Sequence, residues 1–357
     1  MKPKKIEPFD FFIQMHLTER CNLACSHCYQ EGSAPPEMSL REISTAVKAI
    51  SDTLHAWSEA YGVPFSPSFN VTGGEPLLRN DLEQILRMIF DSGFSIFLLT
   101  NGTLVDKNIS RMLASIPVKG VQVSLEGPED IHNLIRGKGS FASAIQGTRH
   151  LLDAGIAVTF NITLSEINAA YFPAMISLAA DIGVQRLGFS RLVPYGRGFS
   201  LIDKMLKPEE VRSIYGQIFS YETPGLQIAT GDPLASQLQA GSDPMEVNSF
   251  PLGGCAAGIS GITVLPDGTL TPCRRLGIPI GNILKDSLRE IWANSDVLNA
   301  LRDKKAYKGK CSVCTRWAGC RGCRAIAYAY SLSQGRDDFL EEDPQCFISL
   351  LFSAPDG

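Results

Sequence analysis

Three cysteines stand close together near the start of the chain, at Cys21, Cys25 and Cys28. A structural zinc site closes its tetrahedron with four protein ligands, usually as two close pairs, so a trio leaves one coordination position unfilled. Three thiolates on one loop can also hold three irons of a 4Fe–4S cube and leave the fourth iron free for another ligand. The trio therefore predicts a reactive metal centre rather than a structural one.

Seven further cysteines lie between positions 255 and 346, whereas all five histidines lie in the first half of the chain, at 16, 27, 55, 132 and 150. The later cysteines have no histidine co-ligand nearby in sequence, which favours all-thiolate chemistry such as iron–sulfur clusters. Two zinc sites are the structural alternative, but they need four ligands each where seven thiolates are in view.

The composition argues against several other classes of protein. The 357 residues are 44% hydrophobic and 20% charged, as in globular proteins. Lysines and arginines number 33 against 37 acidic residues, and this net charge of −4 provides no basic surface for nucleic acid. No apolar run approaches the ~18 residues of a membrane span, and the N-terminus lacks the apolar stretch of a signal peptide. We therefore expect a cytoplasmic protein, where the ten cysteines are not structural disulfides.

Apolar runs alternate with amphipathic stretches along the first part of the chain. Six runs predict buried strands, at 11–17, 68–72, 95–100, 120–125, 157–162 and 186–192. Helical periodicity follows them, at 39–60, 80–92, 106–114, 140–153, 169–181 and 207–219. Six βα units in a row predict a parallel sheet with helices outside, either doubly wound or curled into a partial barrel. The site is expected at the carboxyl ends of these strands, where polar and glycine-rich residues follow.

The rest of the chain predicts a second, smaller domain. A proline- and glycine-rich stretch at 226–254 reads as a connector between a large domain at 1–225 and a cysteine-rich domain at 255–357. Within the latter, residues 261–273 predict a hairpin that turns at Pro266-Asp267-Gly268. A helix is expected around 286–302.

The spacing Cys21-x3-Cys25-x2-Cys28, with His27 where an aromatic residue is usual, resembles the signature of the radical S-adenosylmethionine (SAM) superfamily. The resemblance implies a 4Fe–4S cluster on the three thiolates, whose free iron chelates the amino and carboxylate groups of SAM. It also implies that an electron from the cluster cleaves SAM to a 5'-deoxyadenosyl radical. The implied fold is a partial (β/α)6 TIM-like barrel of parallel strands with a small C-terminal α+β domain.

Gly73, Gly74 and Glu75 resemble the family motif that binds the SAM amino group. Glycines let backbone approach a ligand closely, and a carboxylate accepts hydrogen bonds from an ammonium group. The alternative for this motif is a glycine turn that precedes a helix near Asn80.

Four more positions bear on SAM binding. By resemblance, Ser124 and Arg136 contact the ribose and carboxylate of SAM. The family usually has aspartate where Glu126 stands, which is a departure from the pattern. Leu192 matches a position near the adenine, and the alternative is a core strand leucine. Ser124, Arg136 and Leu192, together with His27, complete the predicted cofactor contacts.

The later cysteines resemble the seven-cysteine SPASM domain, which binds auxiliary iron–sulfur clusters, with one departure in the short Cys320–Cys323 spacing. The resemblance implies a first auxiliary cluster on Cys255, Cys273 and Cys323. It implies a second on Cys311, Cys314, Cys320 and Cys346, giving three 4Fe–4S clusters in all. Residues 256–272 contain no cysteine or histidine, so the fourth iron of the first auxiliary cluster is expected to be open, water-bound, or ligated by substrate or a carboxylate. An open iron could bind a substrate heteroatom; the alternative is that both auxiliary clusters only relay electrons and brace the domain.

SPASM enzymes mostly modify ribosomally made peptides, by crosslinks, thioethers, epimerisation or oxidation. A peptide-modifying maturase is therefore the first expectation from the resemblance. It implies anaerobic chemistry and a flavodoxin- or ferredoxin-type reductant. Because the first strand is predicted near residue 11, a leader-binding protein is expected to be separate or absent.

Two alternatives stay open. The stretch Leu192-Val193-Pro194-Tyr195-Gly196-Arg197-Gly198 resembles one in radical SAM enzymes that trim tetrapyrrole side chains in alternative haem and haem d1 synthesis, where Arg197 would pair with a propionate. Sulfatase-maturing relatives have an aspartate base where Arg274 stands, which argues against that activity. A non-catalytic iron–sulfur electron carrier is an alternative of another class, but it would need none of the SAM contacts.

Overall fold

The computed structural model describes residues 8–32, 35–239 and 253–351. Its strands form one mixed sheet in the order β10-β9-β8-β1-β2-β3-β4-β5-β6-β7. The strands are β1 Phe9–His16, β2 Phe65–Thr72, β3 Ser95–Thr100, β4 Gly120–Ser124, β5 Val158–Leu164, β6 Arg186–Arg191, β7 Gln227–Ala229, β8 Gly261–Val264, β9 Thr269–Thr271 and β10 Gly281–Asn282.

Helices connect and cover the strands. They are α1 Leu40–Tyr61, α2 Leu82–Asp91, α3 Lys107–Ser115, α4 Glu129–Arg136, α5 Ser140–Asp153, α6 Phe172–Ile182, α7 Pro208–Ser220, α8 Ser236–Gln239, α9 Leu288–Asn294, α10 Asp296–Arg302, α11 Gly309–Val313 and α12 Arg324–Ser333. Single 3-10 turns include Pro76–Leu78, and a longer 3-10 segment spans Gly196–Lys204.

Strands β1 to β7 are all parallel and follow one another in chain order, each reached through a helical crossover. In β5, Val158, Phe160, Ile162 and Leu164 are buried, and the residues between them are half-exposed. This alternation places the apolar face under the outer helices and a polar face toward the inside of the curved sheet. The sheet has two free ends and is not closed, so the predicted partial barrel is confirmed.

Local signals in the sequence define where the longest helix begins and ends. Ser39 accepts a hydrogen bond from the backbone of Glu42, whose carboxylate in turn accepts one from Ser39, forming a capping box. Gly62 ends α1 in the left-handed conformation. The helix buries Ile43, Val47, Ile50 and Leu54 against the sheet, as its periodicity predicted.

The cysteine-rich region continues the same sheet. Strand β8 pairs in parallel with β1, and β8, β9 and β10 form an antiparallel extension with the predicted turn before β9. The expected helix at 286–302 is instead two helices, because Ser295 caps the start of α10 with its side chain. Helices α4 and α12 and strand β7 lacked a sequence prediction, and β7 lies inside the stretch interpreted as a connector.

Residues 240–252 of that connector lie outside the described residues, and the domain boundaries at 225 and 254 stay a prediction. Within the described ranges, no helix has the length and apolar character that a membrane crossing requires.

Candidate functional site

A cavity opens at the carboxyl ends of the parallel strands, with about 920 Å³ of empty space including its mouth. The loop after β1 lines it with Cys21, Cys25, His27 and Cys28. Gly73 and Gly74 follow β2, Ser124 ends β4 and Arg136 ends α4, and all of these line the same cavity. The structure thus brings together in one place residues that are up to 115 positions apart, from Cys21 to Arg136.

The two glycines pack directly on the backbone of the cysteine loop. Gly74 donates its N–H to Thr18 O over 2.7 Å, and Glu75 donates its N–H to Arg20 O over 2.8 Å. A Cβ atom on Gly73 would lie 2.6 Å from Thr18 O, closer than any real contact. The glycines therefore let two loops lie in backbone contact beside the thiols, which keeps this edge of the cavity open to a ligand.

The Glu75 carboxylate does not line the cavity. It is fully buried and accepts hydrogen bonds from the Thr100 hydroxyl at 2.7 Å, the Asn101 N–H at 2.8 Å and the Leu77 N–H at 3.2 Å. Burial raises the pKa of Glu75 to about 7, although the hydrogen bonds from Asn101 and Thr100 oppose this rise. Its direct contact with the SAM amino group stays a prediction, since in this geometry the side chain joins the loops after β2 and β3.

Glu126 connects the cysteine loop to the predicted SAM contacts. Its Oε1 atom lies 2.9 Å from Arg136 Nε and 3.2 Å from His27 Nε2, and its Oε2 accepts from the Thr163 N–H at 2.8 Å. Burial would raise the pKa of this carboxyl, but the Arg136 charge and the His27 contact hold it well below its usual range. Arg136 also directs Nη1 toward Cys25 Sγ at 3.7 Å. Glu126, which the sequence showed only as a departure from the family pattern, is thus part of the site.

Leu192 is buried with 1% of its surface exposed, and its N–H donates to Leu164 O at 3.0 Å. It is not among the residues that line the cavity, whereas the next residue, Val193, is. This placement favours the core-leucine alternative, and the adenine contact stays a prediction.

The stretch after Leu192 lies on the cysteine loop. Gly198 donates its N–H to Cys28 O over 2.8 Å, and Arg197 lines the cavity. Gly196 has φ +58°, and a Cβ atom there would lie 2.5 Å from Tyr29 O. The two glycines on either side of Arg197 therefore let this segment pack against the loop that carries the trio.

The four cysteines predicted for the second auxiliary cluster, Cys311, Cys314, Cys320 and Cys346, line one small cavity. Burial raises the pKa of the Cys320 thiol to about 12 and that of Cys311 to about 11, so ligation would have to displace tightly held protons. The three predicted for the first auxiliary cluster, Cys255, Cys273 and Cys323, lie together in a second packing cluster. The structure thus places the members of each group near one another, and their assignment to two auxiliary clusters stays a prediction.

A buried ion network joins the barrel to these cysteines. Arg191, at the end of β6, pairs with Asp343 at 2.7 Å and with Asp232 at 2.8 Å. Asp343 Oδ2 also accepts the Cys323 N–H at 2.8 Å, and its backbone O accepts the Cys346 N–H at 3.0 Å. Sequence analysis missed this network, because nothing in the pattern of single residues indicates a contact between positions 191 and 343.

The donor sets fit iron–sulfur clusters. All ten cysteines are free of disulfides and lie in the three groups described above. Among the described residues, no three His, Cys, Asp or Glu side chains are arranged to hold a single metal ion. A cubane cluster makes a different demand, because each thiolate binds its own iron and the sulfurs need not converge on one point.

The fold and site together define a metal-cluster protein built on a partial α/β barrel. A family model of the radical SAM superfamily matches residues 15–179, and a model of the SPASM iron–sulfur cluster-binding domain matches residues 255–316. The chain is 31% identical over 346 residues to the AdoMet-dependent heme synthase of Methanosarcina barkeri, covering 94% of this chain and 95% of that protein. The chain belongs to the radical SAM superfamily and carries a C-terminal SPASM domain.

Other similar proteins differ in what they modify. The chain is 28% identical over 359 residues to mycofactocin maturase MftC of Mycolicibacterium smegmatis, covering 96% of this chain and 86% of that protein. Streptococcus suis SuiB bound to S-adenosylmethionine has the same fold, with a TM-score of 0.69 and 18% identity, across 96% of this chain and 78% of that one. The predicted superfamily is confirmed, and membership implies SAM and 4Fe–4S clusters as cofactors. The number of clusters stays a prediction.

Proposed function

We propose that the protein reductively cleaves SAM and uses the resulting 5'-deoxyadenosyl radical to abstract hydrogen from a tetrapyrrole that carries carboxylate side chains. The observation that carries this proposal is the position of Arg197. Its segment packs on the cysteine loop, it lines the cavity with the trio, and its Nε atom is buried without a hydrogen-bond partner. The similarity to the M. barkeri heme synthase supports the same substrate class.

The chain's own residues divide the work around the cavity. A 4Fe–4S cluster on Cys21, Cys25 and Cys28 would supply the electron that breaks the carbon–sulfur bond of SAM. Gly73 and Gly74 would leave room for the methionine end of SAM, and Ser124 and Arg136, which line the same cavity, would bind its polar groups. Glu126 holds the Arg136 guanidinium in place, so that its remaining nitrogen faces Cys25.

A ribosomally made peptide is the second candidate substrate. The similarity to mycofactocin maturase over 96% of the chain favours a peptide substrate. The SPASM domain of this chain is compatible with either substrate class and does not decide between them. A separate leader-binding protein and a flavodoxin- or ferredoxin-type reductant belong to this proposal. A non-catalytic electron carrier is disfavoured, because residues with the chemistry of SAM contacts line the cavity.

The test is SAM cleavage by anaerobically purified, reduced protein, with 5'-deoxyadenosine measured by mass spectrometry. We expect cleavage by the wild-type protein and none by Cys25→Ala, which should keep the iron of its auxiliary cysteines. Ser26→Ala, in the same loop, is the matched control and should keep both SAM cleavage and the iron of the auxiliary cysteines. Cleavage by Cys25→Ala would refute the role of the trio, and a wild-type protein with a full complement of iron that does not cleave SAM would refute the activity.

The substrate class is tested by adding a porphyrin with four carboxylate side chains, or a candidate precursor peptide, to the reduced enzyme. A tetrapyrrole substrate should increase 5'-deoxyadenosine formation and should itself lose mass. Increased turnover with a modified peptide, and none with the porphyrin, would favour the second candidate.

A further inference from the structure

The cavity contains more positive charge than SAM binding requires. Five arginines line it, at positions 136, 191, 197, 274 and 275. Arg136 is paired with Glu126, and Arg191 with Asp232 and Asp343. The other three belong to two segments, the 3-10 segment after β6 and the turn after β9.

Arg197, Arg274 and Arg275 form no ion pair with a carboxylate among the described residues. Burial would lower the pKa of Arg275, but the nearby Cys323 and Cys273 thiols and, less strongly, the Asp232 carboxylate raise it. Ion pairs of arginines in those ranges involve Arg20, Arg79, Arg87, Arg136, Arg191 and Arg336. Moreover, the Nε atoms of Arg197 and Arg275 are buried without a hydrogen-bond partner. All three side chains are partly buried, and a guanidinium nitrogen buried without a partner is unfavourable. Two such atoms, beside a third arginine without an ion pair, indicate that an anionic ligand completes this cavity.

These three side chains lie between the two regions that carry cysteines. Arg274 and Arg275 directly follow Cys273, one of the predicted auxiliary ligands, and Arg274 stands 5.8 Å over the ring of Tyr29, the residue after Cys28. Arg197 approaches the trio from the side of β6, through the hydrogen bond of Gly198 to Cys28 O. A ligand bound to these arginines would lie across the cavity, next to both groups of thiols.

Planar, forked guanidiniums match carboxylates in two-point hydrogen bonds, and they stack on aromatic faces. We propose that Arg197, Arg274 and Arg275 form a carboxylate-binding subsite that holds the side chains of the substrate between the trio and the auxiliary cysteines. This inference rests on the proposed function, and it adds the residues that select the substrate. A tetrapyrrole with several carboxylates fits a site whose three guanidiniums come from two separate segments that line one cavity.

The test measures binding, apart from turnover. A free-base porphyrin with four carboxylate side chains and its tetramethyl ester are titrated into anaerobic holoenzyme, with porphyrin fluorescence as the readout. We expect the acid to bind at least about tenfold more tightly than the ester to the wild-type protein. In Arg274→Gln, the affinity for the acid should fall about tenfold while that for the ester stays the same. Arg149→Gln, an exposed arginine on α5, is the matched control and should bind the acid normally.

Arg274→Lys separates charge from structure. It keeps the positive charge but not the forked geometry, so it should recover part of the affinity for the acid. Iron content is measured for each variant. If Arg274→Gln loses iron, Arg274→Lys is compared with the wild-type protein instead. Arg274→Lys is then expected to bind the acid more weakly than the wild-type protein at unchanged iron content.

The subsite is overturned if the ester binds as tightly as the acid, or if Arg274→Gln and Arg275→Gln both bind the acid like the wild-type protein. Arginine-dependent binding of an acidic peptide but not of the porphyrin would overturn the tetrapyrrole as its occupant. These outcomes are distinct from a failure of the proposed function, which is measured by SAM cleavage of the wild-type protein without any porphyrin.

Discussion

The side-chain amide of Gln237 donates a hydrogen bond to Cys320 Sγ over 3.5 Å. The same nitrogen lies 3.7 Å from Cys346 Sγ, and Gln237 is buried on the short helix α8. Both cysteines belong to the group predicted to hold the second auxiliary cluster. A residue of the stretch interpreted as a connector therefore contacts two of the predicted cluster ligands, where it would influence the electronic properties of a bound cluster.

Replacing Gln237 by leucine should lower the reduction potential of the second auxiliary cluster. Hydrogen bonds to cluster sulfurs stabilise the extra negative charge of the reduced state, so their loss favours the oxidised state. If the two contacts contribute about 1 kcal/mol, the shift is roughly 40 mV, because a tenfold change in a one-electron equilibrium is about 59 mV. Redox titration followed by electron paramagnetic resonance measures it.

Gln217→Leu is the matched control for this change, since Gln217 is exposed on α7. It should leave every potential unchanged. An unaltered potential in Gln237→Leu at full iron content would show that the amide does not influence the cluster.

Glu126→Gln should destabilise the protein and weaken SAM binding. The buried carboxylate contacts both Arg136 and His27, and removing its charge leaves the Arg136 guanidinium buried without an anion. Loss of one partner of a buried pair typically costs about 3–5 kcal/mol. Thermal unfolding and equilibrium binding of SAM to the anaerobic protein measure the two effects.

The control for this carboxylate is Glu129→Gln, an exposed glutamate at the start of α4. It should change neither the melting temperature nor the affinity for SAM. If Glu126→Gln behaves like this control, the pair with Arg136 does not support the site.

Arg191→Met should lower stability and reduce the iron bound by the SPASM domain. Arg191 is fully buried and neutralises Asp232 and Asp343, and Asp343 in turn binds the backbone N–H of Cys323. Without the guanidinium, two carboxylates are left buried together, and the turn that carries Cys346 loses its fixed position. Iron content per chain and thermal unfolding are the measurements.

Arg186→Met on the same strand tests whether the effect depends on burial. The exposed side chain of Arg186 hydrogen-bonds Gln227 Oε1 and no other described side chain, so this variant should keep its iron and its stability to within about 0.5 kcal/mol. Normal iron content in Arg191→Met would contradict the role assigned to the network.

The sequence was most informative where local patterns decide the structure. The strands β1 to β6 and the helices between them other than α4 follow from apolar periodicity. The predicted groups of cysteines come from spacing that resembles a known family. Contacts between distant residues had no such signal. Glu126 was visible only as a departure from a pattern, whereas Gln237 and Arg191 act through partners that are about 80 and 150 positions away. The arginine pair after Cys273 is visible in the sequence, but only the structure shows that these arginines line the cavity and form no ion pair with any described residue.

Gly196→Ala should perturb the loop that carries the trio. A Cβ atom at Gly196 would lie 2.5 Å from Tyr29 O, and the residue has φ +58°, which costs other residues about 1–2 kcal/mol. The variant therefore has both a strained backbone and a clash with the cysteine loop. We expect a lower melting temperature and slower SAM cleavage.

Gly225→Ala separates the two contributions. Gly225 has φ +81°, yet no described atom lies within 4 Å of its would-be Cβ atom, so this variant has the backbone strain without the clash. Because Gly225 is remote from the cysteine loop in sequence and has no neighbour to displace, its variant should lose stability only and should cleave SAM at the wild-type rate.

If Gly196→Ala and Gly225→Ala lose equal stability and both cleave SAM normally, then the contact between Gly196 and Tyr29 does not determine the position of the trio. A selective loss of cleavage in Gly196→Ala would instead show that the segment before Arg197 holds the cysteine loop in its active geometry.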